Sequence, residues 1–374
     1  MSDRDNKTSV PFNTIASQWK EIENEALKSI QGIFDTSAYC LGYEVAAFEN
    51  EIAEYLGVAH AVAVNSGTSA LHLAVIAANI SAGDEVLVPA HTFIATLWGV
   101  MYANAKPILC DVDAASGTID LNDAERRMTS KCRAIIPVHL YGQPANMDAV
   151  KRFAKKHRLA VIEDNAQAIG ARWDGRMLGA IGDFGCFSFY PGKNLGAAGE
   201  GGLVTATDAA TAARLRSLRH HSQSQRYLHS EIGFNYRMDG VQAAVLRHKL
   251  RRLDIWTGRR RDLAERYLRS LAHLPLELPR MVHQDHVWHL FVVRTRNRDE
   301  LRDYLKNADI ETGLHYPVPL HRQPALAHLN VDLNSFPHAD RWASEGLSLP
   351  LFYGMTDQQL DHVVDATDRF FNGR

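Results

Sequence analysis

A chain of 374 residues with 22% charged side chains has material for a sizeable core, and its formal net charge of −2 gives no excess of either sign. That balance argues against nucleic acid or an anionic membrane surface as a partner drawn by bulk charge. The polar start MSDRDNKTSV and the lack of any run near the ~18 apolar residues of a membrane span lead to the expectation of a soluble, cytoplasmic protein.

After a helical N-terminal segment, short β-branched runs alternate with helical stretches from about residue 59. The runs are AVAV (61–64), EVLVPA (85–90), PILCDVD (107–113), AIIPVHLY (134–141), AVIED (160–164), CFSFY (186–190) and GGLVTA (201–206). Buried runs of this kind separated by helices predict an α/β layer on a mainly parallel, mixed sheet. Met238–Leu250 and the basic stretch up to Leu271 read as one long linker helix. Beyond it, HVWHLFVVRT (286–295) and GLHY (313–316) read as strands and residues 299–308 and 357–370 as helices, a smaller α+β unit. The length prior of ~100–200 residues per domain fits a large domain over 1–250 and a small C-terminal one over 251–374. Cys40, Cys110, Cys132 and Cys186 lie far apart without a CxxC pair, which suits reduced thiols better than disulfides or zinc. His286 and His289 make a poor metal pair, because strand alternation would send them to opposite faces, and no HExxH is present.

Three motifs could carry chemistry. NSGTSALHLAV (65–75) puts a glycine turn and hydroxyl residues before an apolar helix, which suits an anion but equally an ordinary N-cap. VIEDNAQAIGA (161–171) ends a strand in two acids at the edge where open α/β sheets bind ligands. Asp164 there could hold a protonated heterocyclic nitrogen, or cap a helix beginning at Asn165. CFSFYPGKNLGAAGEGG (186–202) delivers Ser188 and then Lys193 among small residues. A loop lysine is by default a solvated charge; desolvated, it becomes a nucleophile for an aldehyde. Together the three supply a phosphate cradle, a pyridinium partner and an imine-forming lysine, the parts that pyridoxal 5′-phosphate (PLP) chemistry needs.

With IASQWKEIENEAL, YCLGYEVAAFE, PAHTFIAT, IIPVHLYGQPANMD, GFNYRMDGVQAAVLRHKL and LHYPVPLHRQPA, these motifs make almost the whole chain resemble the DegT/DnrJ/EryC1/StrS sugar aminotransferases. The resemblance implies PLP fold type I, with Lys193 carrying the cofactor and moving protons and Asp164 pairing with its ring nitrogen. It further implies that Gly67, Thr68, Ser69 and Ser188 grip the phosphate, that Phe93 stacks on the ring and that Gln167 reaches the ring 3′-oxygen. Asn235 would cross from a neighbouring subunit to the phosphate, making an obligate homodimer, and Tyr316 and His321 would lie near the sugar. Two features depart from the family pattern: Asn165 in place of a small alanine, and the stretch HHSQSQRYLHS (220–230).

The implied reaction passes an amino group from glutamate or glutamine, through pyridoxamine 5′-phosphate, to a nucleotide-linked keto sugar. The resemblance is strongest to the branch acting on 3-keto-6-deoxyhexoses or 3-keto uronates, with 4-keto sugars or scyllo-inosose as the alternative. Other classes are a PLP-dependent deoxysugar dehydratase, in which histidine replaces the lysine, and a non-catalytic regulator. The intact Lys193, Asp164 and Ser188 set argues against both.

Overall fold

The structure is a computed structural model and describes residues 8–280 and 283–373. Its centre is a seven-stranded sheet built from β1 (His60–Val64), β2 (Glu85–Pro89), β3 (Lys106–Cys110), β4 (Cys132–Ile135), β5 (Ala160–Asp164), β6 (Phe184–Ser188) and β7 (Gly202–Ala206). The order across it is β1-β7-β6-β5-β4-β2-β3. β3, β2, β4, β5 and β6 run parallel, while β7 is antiparallel to both β6 and β1. Helices cover both faces, so these strands are buried on both sides and read as apolar runs, not alternating ones.

Helices α1 (Ala16–Thr36) and α2 (Gly42–Leu56) precede the sheet, and α3 (Gly67–Ala77), α4 (Ala95–Tyr102), α5 (Leu121–Arg127), α6 (Met147–His157) and α7 (Ala209–Leu218) connect its strands. α3 is buried from Ser69 to Val75, nearly all round, and forms the centre of the main core with Val62, Val88 and Leu97. Cys110, Cys132 and Cys186 are buried in strands and Cys40 is exposed, all as free thiols.

The expected long helix is two: α8 (Gly240–Leu250) and α9 (Leu253–Ser270), broken at Arg251 and Arg252. Neither Gly nor Pro marks the break, so the apolar spacing continues through it. α9 packs Leu263, Ala264 and Tyr267 into a second core with β8 (Phe291–Arg294), α10 (Arg298–Asn307) and α12 (Asp357–Asn372). β8 is shorter than the expected strand over 286–295 because the preceding residues are drawn to the turn at Tyr141–Gly142 that follows β4. Val287 N–H donates to Gly142 O at 3.0 Å and Leu290 N–H to Tyr141 O at 3.2 Å. The partner of β8 is β9 (Gly346–Leu349), reached through α11 (Pro337–Glu345), neither of which the sequence reading anticipated. The expected strand over 313–316 reduces to one bridge, Gly313 to Ser348. AIIPVHLY likewise stops being strand at Ile135, since Pro137 has no N–H for a ladder, and ends in a 3₁₀ turn over Leu140–Gly142.

Candidate active site

The C-terminal ends of β1, β5 and β6 open into one cavity of about 900 Å³. At the end of β1, Ser66 caps α3 by accepting the Ser69 N–H at 3.1 Å, and Ser69 Oγ donates to Asn65 at 2.7 Å. The capping role therefore falls to Ser66, and Ser69, whose amide it caps, is buried and does not line the cavity. Gly67 and Thr68 line the cavity. Their amides belong to the first turn of α3, where no helical carbonyl is available to them, and the helix dipole adds partial positive charge. Ser188, the last residue of β6, faces this turn. A Cβ on Gly67 would lie 2.7 Å from Ser188 Cβ, and one on Gly202 would lie 2.2 Å from the Ser66 carbonyl oxygen. Only glycines allow the three segments this close, and the result brings two amides and a hydroxyl to one end of the cavity, donors that suit an anion.

The two acids ending β5 separate as strand geometry requires, on opposite faces. Glu163 is fully buried and accepts N–H groups from Gly179 at 2.9 Å, Ile181 at 2.9 Å and Gly182 at 2.6 Å, with His139 Nε2 at 3.2 Å. Burial works against its charge, yet the bonds from His139 and the amides hold its carboxyl below the usual range. It is a structural anchor for the 179–182 loop. Asp164 faces the cavity, with Oδ2 accepting from Thr96 Oγ1 at 2.8 Å and Oδ1 from Ala166 N–H at 3.1 Å. No helix begins at Asn165, so Asp164 closes a local turn and is not a helix cap. Burial raises its pKa against the opposing pull of Thr96, Ala166 and Lys193. Asn165 is buried and donates to Glu163 O at 3.1 Å.

Lys193 sits on the turn after β6, its own N–H bonded to Tyr190 O at 2.9 Å, and lines the same cavity. Burial lowers its pKa to about 8, while the charge of Asp164 pulls it back up. It is a desolvated amine facing a buried carboxylate, not a solvated charge. His289 and His315 also line the cavity, and burial with the nearby Lys193 charge keeps both imidazoles neutral, His315 at a pKa of about 4. His289 Nδ1 lies 3.2 Å from Asn194 Oδ1, and Asn194 Nδ2 donates to Val287 O at 2.9 Å.

Phe93, about half exposed, lines the cavity with its ring 5.3 Å from that of Tyr316. Gln167 lines it too; its Oε1 accepts from Tyr141 N–H at 2.5 Å and its Nε2 donates to the Tyr316 hydroxyl at 3.0 Å. His321 does not reach it. Leu320 N–H bonds Ala90 O at 2.8 Å, and His321 is turned instead to Asp340 at 2.9 Å and stacked on Phe336. Asn235 is exposed and outside this protomer's cavity. The 220–230 stretch makes a small hairpin, Gln223–Gln225 with Leu228–His229, and Tyr227 at its tip is 79% exposed. Among the described residues no cluster of three metal-ligating side chains occurs, and no helix is long and apolar enough to cross a membrane. Thr96, His289 and His315 are site residues that the motifs do not single out: Thr96 lies within PAHTFIAT, and His289, expected on a strand, precedes the start of β8 at Phe291 and lines the cavity.

Compared with known proteins, residues 20–368 match the DegT/DnrJ/EryC1/StrS aminotransferase family. The dTDP-3-amino-3,4,6-trideoxy-α-D-glucose transaminase of Streptomyces venezuelae is 45% identical over 368 residues, covering 98% of this chain and 97% of that protein. The UDP-N-acetyl-3-dehydro-α-D-glucosamine 3-aminotransferase of Acidithiobacillus ferrooxidans is 40% identical over 367 residues, covering 98% and 99%. The crystal structure of S. venezuelae DesV in complex with a ketimine intermediate superimposes with a TM-score of 0.94 at 45% identity, covering 97% of this chain and 98% of that one.

Proposed function

The chain belongs to the DegT/DnrJ/EryC1/StrS aminotransferase family, and from that premise we propose that it is a PLP-dependent enzyme passing an amino group from glutamate or glutamine to a nucleotide-linked 3-keto sugar. The observation that carries the reading is the meeting of Lys193, Asp164 and the Gly67–Ser188 cleft in one cavity. A cleft that only glycine permits, a buried carboxylate and a desolvated amine correspond to the phosphate, ring nitrogen and aldehyde of PLP, so the residues fit that cofactor. Gly67, Thr68 and Ser188 would hold the phosphate, Asp164 the ring nitrogen and Phe93 the ring face, with Gln167 near the 3′-oxygen. Ser69 supports the cleft through its bond to Asn65. Tyr316, bonded to Gln167, belongs to the wall that meets the sugar; His321 is bonded to Asp340 and does not line the cavity.

Bound there, the cofactor supplies a protonated ring into which charge on the reacting carbon spreads. The protein's own part begins at Lys193 Nζ. An amine with a pKa near 8 is partly neutral at physiological pH, so it can yield its place to the donor nitrogen and then act as the base that takes the donor α-proton. In the second half it returns a proton to the sugar carbon, whose carbonyl oxygen leaves as water. Asp164, kept from solvent and oriented by Thr96, would hold its carboxylate against the ring N–H. His289 and His315, their pKa values lowered by burial and by the Lys193 charge, are weaker bases than Lys193 and leave the proton to it.

The 3-keto preference draws on the two relatives at 45% and 40% identity, whose names both specify chemistry at the sugar 3-position. A homodimer with shared sites completes the reading: Asn235 is exposed, and Tyr227, Leu228 and Ile232 beside it offer apolar surface to a second copy. The test is half-reaction spectroscopy of the purified enzyme with glutamate, glutamine and a panel of 3-amino and 4-amino nucleotide sugars. The reading expects the cofactor band to shift with a 3-amino member and one donor; shifts with 4-amino sugars alone overturn the 3-keto assignment.

A further inference from the structure

The two hydroxyls behind Asp164 are ordered in one sense. Thr96 Oγ1 carries a single hydrogen and an ionised carboxylate only accepts, so that hydrogen goes to Asp164 Oδ2 at 2.8 Å. Thr92 Oγ1 lies 3.0 Å from Thr96 Oγ1. With the Thr96 hydrogen already committed, Thr92 is the donor and Thr96 the acceptor of that contact. Thr92 and Thr96 are 2% and 1% exposed, so water does not compete for either bond. The short stretch from Thr92 into the first turn of α4 therefore delivers a relay of two hydroxyls that ends on the carboxylate. Buried hydroxyls that donate in series strengthen one another.

Asp164 would hold a protonated ring nitrogen by its charge, and burial works against that charge. The bond from Thr96 is the strongest of the effects that oppose burial, ahead of the Ala166 amide, Lys193 and His139. Cys186 and Tyr316 also face the carboxylate; burial, and then its charge, keep both protonated, so neither lends it a cation. The help from Lys193 is conditional, because that amine has to be neutral to act as nucleophile or base. A threonine hydroxyl does not titrate and supports the carboxylate throughout. We propose that Thr92 is a positioning residue, acting through Thr96, whose donated hydrogen bond keeps Asp164 ionised and aimed into the cavity when Lys193 carries no charge. The inference rests on the reading of the cavity as a PLP site.

The test is a double-mutant cycle on the full chain without cofactor, in which Asp164 is titrated by infrared spectroscopy. Its carboxyl band is the one missing from Asp164→Asn. Valine keeps the shape of threonine and removes the hydroxyl. Thr96→Val is expected to weaken the ionisation of Asp164 roughly tenfold, raising its midpoint by about one pH unit, and Thr92→Val to weaken it about threefold. In the Thr96→Val background, Thr92→Val is expected to add nothing, because the relay has lost its middle member. Serine at either position should restore the wild-type midpoint, and PLP affinity, followed by titration, should fall in the same order as the ionisation. Alanine at each position repeats the cycle where a valine variant does not fold. A Thr92→Val shift that persists in the Thr96→Val background, no shift from Thr92→Val in either background, or a PLP affinity unchanged by Thr96→Val overturns the proposal. Wild type that forms no imine with PLP marks instead the failure of the PLP reading, and the Asp164 titration still decides whether the relay exists.

Discussion

At Lys193 two opposed effects set a working pH. Burial favours the neutral amine and Asp164 favours the ammonium, leaving a pKa of about 8. Below that value the amine is protonated and cannot attack an aldehyde, so capture of PLP by cofactor-free protein is expected to speed up as pH rises through about 8 and then level off. Stopped-flow absorbance measures this directly. Asp164→Asn removes the group that raises the lysine and should move the midpoint lower; a midpoint that rises contradicts the pairing. Gly67→Ala tests the cleft in the same way. The added Cβ would sit 2.7 Å from Ser188 Cβ, and the affinity for PLP, followed by titration, should fall at least tenfold. Most of these residues were legible in the sequence because they occupy contiguous motifs at strand ends. Asn13 was not, since it reaches the site from a distant segment that only tertiary packing brings there, and Thr96 and His315, although inside the motifs that carry Phe93 and Tyr316, show their part only through the packing that turns them to the site.

Single elements tell a similar story about range. The strands of the main sheet were readable because burial on both faces makes each an apolar run. β9 was not, since GLSL is too short to stand out and gains its identity from pairing with β8. The break between α8 and α9 is equally tertiary: Lys249, buried at the end of α8, donates to Gly196 O at 2.7 Å and ties that end to the lysine loop. Glu163 gives the sharpest test at this scale. Glu163→Gln leaves amides of the 179–182 loop and His139 without a charged acceptor, and unfolding by urea should show a loss of about 3–5 kcal/mol. The carboxyl is held below its ordinary value, so its contribution is present above the ordinary carboxylate range and is lost as pH falls through the lowered one. The variant should lack that acid-side slope; a stability curve parallel to wild type contradicts the anchoring role.

For the whole molecule, the protomer's cavity is one part of the proposed site and the exposed segment around Asn235 is another. The large domain expected over 1–250 and the small one over 251–374 are joined by more than the chain: residues 10–15, His286–Leu290 and the Leu320 turn all bond across to the other part. If Asn235 serves the neighbouring subunit's phosphate cleft, co-expressed Lys193→Ala and Asn235→Ala chains should form mixed dimers with activity that neither parent has, because one site per dimer is then intact. Failure of the mixture to regain activity would place Asn235 outside a shared site. The most direct test of the central claim is chemical. Protein loaded with PLP is reduced with borohydride, digested, and the cofactor mass located by peptide sequencing in a mass spectrometer. The mass is expected on Lys193 alone, and its appearance on another lysine, or on none, would contradict the account.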